Sequence, residues 1–188
     1  MTATDSAVLL ENWPDESREA AELVIDTYGR PHEITPTLLR WFDVGPWKRV
    51  EASREFHRHR FPVPHIDSVE SFLDYDVPVD KVETLARFDG SVVVDRTIGE
   101  LSARCHDEQA NFLALNLAHD LVTGRRTVDE AREHYAREFL DVRRGNPTLY
   151  MDGLAFGPSS SRGDPDSRAL SDEDLERAQQ EGEAGGGS

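Results

Sequence analysis

Between Glu55 and Asp67 the chain reads Glu-Phe-His-Arg-His-Arg-Phe-Pro-Val-Pro-His-Ile-Asp, which gathers three of its seven histidines beside an aspartate. Imidazole nitrogen and carboxylate oxygen are the donor set of zinc and of related divalent ions. On a strand, His57 and His59 point to one face. A loop stiffened by Pro62 and Pro64 can carry His65 and Asp67 round to meet them. Two features oppose a cation there: the spacing matches no established metal motif, and Arg58 and Arg60 intervene. The alternative reading of the same residues is a solvated polar loop.

A second polar set lies within the most apolar segment, Glu108 to Thr123. At about 100° per residue, Asn116, His119, Asp120 and Thr123 fall on one stripe, while alanines, leucines, Phe112 and Val122 fill the rest. The stripe is either the seam of a pocket, with His119 as acid or base, or the one side of a packed helix that meets water. Cys105 and His106 put a thiol beside a base. Adjacent strand residues face opposite ways, however, so a buried apolar thiol is the better reading. Gly29, Gly45, Gly90 and Gly99 are isolated, and the chain holds neither a glycine-rich phosphate loop nor a nucleophile elbow. Trp41, Trp47, Phe42 and Phe56 concentrate aromatic surface on one hairpin. Core packing accounts for most of them; the alternative, for Trp41 and Trp47 near a Gly-Pro turn, is a partner surface.

These residues need elements to position them. Ala21, Val24, Ile25 and Tyr28 recur with helical spacing, so a helix is expected from Asp15 to Tyr28, ended by Gly29 and Pro31. Leu38–Phe42 and Trp47–Phe56 read as strands around Gly45-Pro46. Arg58 to His65 reads as irregular, followed by a short helix on which Val69, Phe72 and Leu73 share a face. A helix from Asp80 to Phe88 leads to a second hairpin, Ser91–Thr97 with Glu100–Cys105, turned tightly at Ile98-Gly99. Thr127 and Glu130 form a capping box for a last long helix, hairpinned to the preceding one. Helix, glycine, strand, turn and strand occur twice, at 15–56 and 80–105. The expected fold is therefore α+β: a small antiparallel sheet of two hairpins packed against helices, then a C-terminal helical hairpin and a disordered tail. The expected organisation is a flexible segment 1–14, one domain over 15–156, and an acidic disordered tail over 157–188.

Charge bounds the partners. The 188 residues carry 37 acids against 21 bases, a formal charge of −16, and Lys48 and Lys81 are the only lysines. Residues 157–188 hold less than half of that excess, so the folded part is acidic too. No basic stripe of the kind that phosphate backbones require is present, which argues against nucleic acid. A dispersed acidic, lysine-poor surface stays hydrated in concentrated salt, the habit of cytosolic proteins in organisms that accumulate salt. A single cysteine precludes an intrachain disulfide. The N-terminus lacks the regions of a signal peptide, and Ala110–Val122 is too short and too interrupted to span a bilayer. The expectation is a cytoplasmic protein with no membrane partner.

Tyr28-Gly29-Arg30-Pro31, Gly45-Pro46-Trp47-Lys48-Arg49, Phe88-Asp89-Gly90-Ser91-Val92-Val93-Val94, Gly99 to Cys105 and Asn111 to Asp120 together resemble a family of small uncharacterised microbial proteins. The resemblance spans about residues 15–140, here in a salt-adapted, haloarchaeal-like version, and implies no activity. Two functions remain open. One is a non-enzymatic binding or accessory protein that meets a protein partner or a second copy through the aromatic hairpin of Trp41 and Trp47 or through the sheet face, with no cofactor. The other is an enzyme dependent on a divalent metal at His57, His59, His65 and Asp67, with His119, Asp120 and Asn116 as candidate catalytic residues.

Overall fold

A computed structural model describes residues 10–146, 148–157, 159 and 164–185. The elements in chain order are α1 (Asp15–Tyr28), β1 (Glu33–Ile34), β2 (Leu38–Val44), β3 (Trp47–His59), β4 (His65–Asp74), a 3-10 turn (Val79–Lys81), α2 (Val82–Phe88), β5 (Val92–Asp95), β6 (Glu100–Cys105), α3 (Glu108–Val122), α4 (Val128–Arg143), α5 (Leu149–Asp152) and α6 (Asp172–Gly185). The fold is α+β, as expected.

The strands form one six-stranded antiparallel sheet in the order β1-β2-β3-β4-β6-β5. The two expected hairpins, β2–β3 and β5–β6, are present. They do not meet directly, because β4 lies between them. Here the expectation of a short helix after Asp67 is corrected: Val69, Phe72 and Leu73 belong to a strand. Residues 66–69 and 71–73 are buried, the near-continuous burial of a central strand, and such a run has no period of two to distinguish it from a helix. β1 adds a short edge that was not expected.

Register assigns the two faces. Leu39 pairs with Ala52, Trp41 with Val50, Val69 with Cys105, Ser71 with Ala103 and Leu73 with Leu101. This face forms a single core with Ala20, Ala21, Val24 and Ile25 of α1 and with Phe112, Leu113, Leu115 and Leu117 of α3. Asn111 of α3 ties the helix to the sheet by donating to Val69 O at 3.1 Å and Ser71 Oγ at 3.0 Å. The opposite face is charged. Glu51 accepts from Arg40 and Arg49, Arg49 also reaches Glu100 at 3.0 Å, and its guanidinium lies 3.6 Å over the Phe72 ring.

Trp41 and Trp47, the expected partner surface, are 0% and 2% exposed. Trp41 Nε1 donates to Gly29 O at 3.0 Å, and Trp47 Nε1 donates to Glu108 Oε1. They are core residues with their single polar atoms satisfied. Gly45 lets the same hairpin close against α1. Its φ is 54°, and a Cβ there would sit 2.6 Å from the Tyr28 hydroxyl. The second hairpin turns through residues 96–99, wider than the tight turn expected, because Asp95 Oδ1 accepts from Thr97 N and Ile98 N.

The capping box at Thr127 and Glu130 forms as expected, and α4 packs on α3 and α2. Packing starts before the expected Asp15: Leu10 and Trp13 are buried, and Trp13 Nε1 donates to Pro36 O. It also reaches beyond 156, because Ser159 Oγ accepts from Asp76 N at 2.7 Å and Asp166 pairs with Arg96 at 3.3 Å. The expected disordered tail is thus corrected in part: α6 forms there, exposed along nearly its whole length. No described helix is long and apolar enough to cross a membrane.

Candidate functional site

β3 ends at His59 and β4 begins at His65, so residues 60–64 are the hairpin connection, with a cis peptide at Phe61-Pro62. Beyond an irregularity between Ala52 and His57, the register pairs His57 with Asp67 and His59 with His65. Alternation along β4 then puts His65 and Asp67 on the helix-covered face. The turn from α2 into β5 brings Asp89 and Ser91 against them.

His65 Nε2 lies 3.1 Å from Asp67 Oδ1, and His59 Nδ1 lies 3.7 Å from Asp67 Oδ2. Ser91 Oγ donates to Asp67 Oδ2 and stands 3.5 Å from His59 Nδ1. His59 Nε2 approaches Asp89 Oδ1 at 3.6 Å, and Asp89 accepts from Ser91 N at 2.8 Å. One ligand atom each from His59, His65 and Asp67 can be chosen within 4.8 Å of one another. Asp67 is 2% exposed. Although His65 Nε2 and Asp67 Oδ1 are close, the angle is poor, so both atoms are buried without a hydrogen bond.

Tautomer follows from the other ring nitrogen. His65 Nδ1 sits 2.8 Å from Val63 O, to which it donates its proton. Its Nε2 therefore faces Asp67, the orientation that metal-ligating histidines take when a carbonyl holds the remote nitrogen. Burial opposes charge on His65, but the Asp67 carboxylate, the adjacent Cys105 thiol and Val63 O outweigh it and push the imidazole up to about 11. Burial raises Asp89, against the opposing pull of the Ser91 amide and of His59, and burial likewise raises the Cys105 thiol.

The site is roofed by aromatic rings. Phe61 stands edge-on to His59 and packs at 5.0 Å on Tyr135 of α4. Arg132 lies 3.9 Å over the Phe61 ring and donates to Phe88 O. The side chains of His59 and His65 remain 19% and 16% exposed, so the cluster opens to solvent on the histidine side.

Three of the four expected ligands therefore come together. His57 does not join them: it is exposed and stands outside the group, although it borders a cavity that Asp67 also lines. Cys105 is buried as expected, and its neighbour is His65, not His106. Asp89 and Ser91 were not expected. They lie over twenty residues along the chain, and only the strand order β4-β6-β5 brings them near.

At Asn116, His119 and Asp120 the polar stripe of α3 is covered by residues 148–156, whereas Thr123 at its end is exposed and bonds back to His119 O. Asn116 donates to Tyr150 O and Gly153 O and accepts from Ala155 N. Asp120 accepts from Arg126 and from the Tyr150 hydroxyl. The His119 ring stacks on Phe156 at 4.3 Å, and its Nδ1 meets the Tyr75 hydroxyl at 2.8 Å. Burial, then Arg125, holds His119 below its ordinary value. These contacts fasten the C-terminal segment to α3. No family model matches the chain, and neither the curated proteins nor the solved structures contain one similar to it.

Proposed function

We propose that the protein binds one divalent transition-metal ion, of which zinc is the type, through His59, His65 and Asp67, and acts as a binding or accessory protein around that ion. The observation that carries this reading is the facing pair of buried atoms, His65 Nε2 and Asp67 Oδ1, 3.1 Å apart and without hydrogen bonds. Unpaired buried polar atoms are costly and rare. Tetrahedral zinc with bonds of about 2.0–2.1 Å separates its ligand atoms by about 3.3 Å. The His65–Asp67 separation of 3.1 Å lies close to that value, and one ligand atom from each of the three residues lies within 4.8 Å of the others. Two imidazoles and a carboxylate suit zinc better than magnesium or calcium.

Ser91 and Asp89 serve as the outer layer in this reading. Ser91 holds the second oxygen of Asp67, and Asp89 borders His59. Three protein ligands leave a coordination position for water or for a group on a partner. The burial of Trp41 and Trp47 leaves the sheet face as the surface for a partner reading independent of metal.

Binding displaces a proton from His65 Nε2, because the imidazole must be neutral to ligate. Isothermal titration of zinc into untagged protein tests this. One-to-one binding is expected, strengthening as pH rises from 6 to 8 and releasing a proton measurable as a dependence on buffer ionisation heat. Zinc binding of equal strength in wild type and in the His65→Ala plus Asp67→Asn variant would remove the proposal. We read the surface acidity, −16 overall, as adaptation to a salt-rich cytoplasm. Its support is compositional: acids dispersed through the domain, and two lysines.

A further inference from the structure

Beside the metal cluster, and sharing Asp67 with it, lies a cavity of about 200 Å³ bordered also by Glu51, Glu55, His57, Ser68, Glu70 and Arg104. Its acids are not all engaged alike. Glu51 is held by Arg40 and Arg49, and Glu70 accepts from Ser102 Oγ at 2.6 Å, whereas Glu55 is exposed. Two donors on residues bordering the cavity have no partner among the described residues: Ser68 Oγ, on a residue only 2% exposed, and Arg104 Nε. Arg104 reaches Glu70 only at 3.7 Å, through Nη1, so Nε is left for another acceptor.

An unsatisfied hydroxyl and an unsatisfied guanidinium N–H on residues that border one cavity ask for an acceptor, best an anionic one, since charge-assisted bonds are the strong ones. A free anion is disfavoured because Glu51, Glu55 and Glu70 border the same space. A small molecule carrying both signs meets both demands. The pocket is below the usual range for larger ligands, about 300–1,000 Å³, and its apolar contribution is Leu38. We propose that this cavity binds a small neutral α-amino acid, its carboxylate accepting from Arg104 Nε and Ser68 Oγ and its ammonium donating to Glu55 and Glu70. Among the described residues no phenylalanine, tyrosine or tryptophan ring lines the cavity, so a quaternary ammonium, which cannot donate and is best held by such faces, is rejected.

The test is calorimetric titration of L-alanine into the full chain, with trimethylglycine, propionate and magnesium as controls. Saturable one-to-one binding of L-alanine is expected, with no binding of trimethylglycine or propionate. Ser68→Ala, Arg104→Gln and Glu55→Gln should each weaken it by about tenfold or more, the value of one charge-assisted hydrogen bond. Glu55 is exposed, so its variant keeps the test decisive if Arg104→Gln fails to fold. Absence of saturable L-alanine binding overturns the proposal. So do equal affinity for trimethylglycine, wild-type affinity in both Ser68→Ala and Glu55→Gln, and magnesium binding that Glu55→Gln abolishes while L-alanine does not bind. Zinc affinity is expected to be unchanged in Glu55→Gln, which separates this site from the metal cluster.

Discussion

Asp67 divides its oxygens between two neighbours: Oδ1 faces His65, and Oδ2 accepts from Ser91. Each half has its own consequence. Asp67→Asn removes the charged ligand and is expected to weaken zinc binding by more than about a hundredfold, beyond what loss of an outer-layer partner costs. Ser91→Ala leaves the ligands in place and should cost about 10–100-fold, the outer-layer range. Competition against a chromophoric chelator measures both. His57→Ala should leave zinc affinity unchanged, because that side chain stands outside the group. A loss equal to that of His59→Ala would put His57 back among the ligands.

At the scale of elements, α3 and the segment 148–156 hold together through His119, and this junction is sensitive to pH. His119 has a folded pKa below its ordinary value because burial and Arg125 disfavour its charge. Between the folded and unfolded pKa values the unfolded chain binds more protons, so stability rises with pH in that window. The contribution is present above about 6.5 and is lost as pH falls through the lower folded value. Thermal melts from pH 7 to pH 4.5 should fall more steeply for wild type than for His119→Gln; parallel curves would show that the stacked ring does not titrate in this way. On the first hairpin, Trp47→Ala is expected to cost about 3–5 kcal/mol by denaturant unfolding. A loss below about 1 kcal/mol, ordinary for a surface site, would contradict its burial. These elements also show what could be read from sequence. Helix α1, the Thr127 cap and both hairpins carry local signals and were legible. Strand β4 was not, because a strand buried on both faces loses its alternation. His59, His65 and Asp67 were legible through strand periodicity plus a proline-stiffened connection. Asp89 and Ser91 were not, because their approach depends on the order in which strands pair, which no local signal encodes.

On the scale of the whole molecule, charge and the metal act on stability by different routes. At −16, self-repulsion destabilises the compact state in dilute buffer and is screened as the Debye length falls from about 10 Å at 0.1 M salt to about 3 Å at 1 M. The melting temperature should therefore rise steeply between those limits; a flat response would count against salt adaptation. Helix α6 is exposed, so a chain ending before Asp172 should melt with the full-length protein. The metal stabilises by binding the folded state alone, with no need for salt. The most direct test is equilibrium dialysis of untagged protein against zinc, followed by elemental analysis. One zinc per chain is expected in wild type and none in the His59→Ala, His65→Ala, Asp67→Asn triple variant. A wild-type chain that retains no zinc, or a folded triple variant that retains as much, would contradict a metal site between β3 and β4.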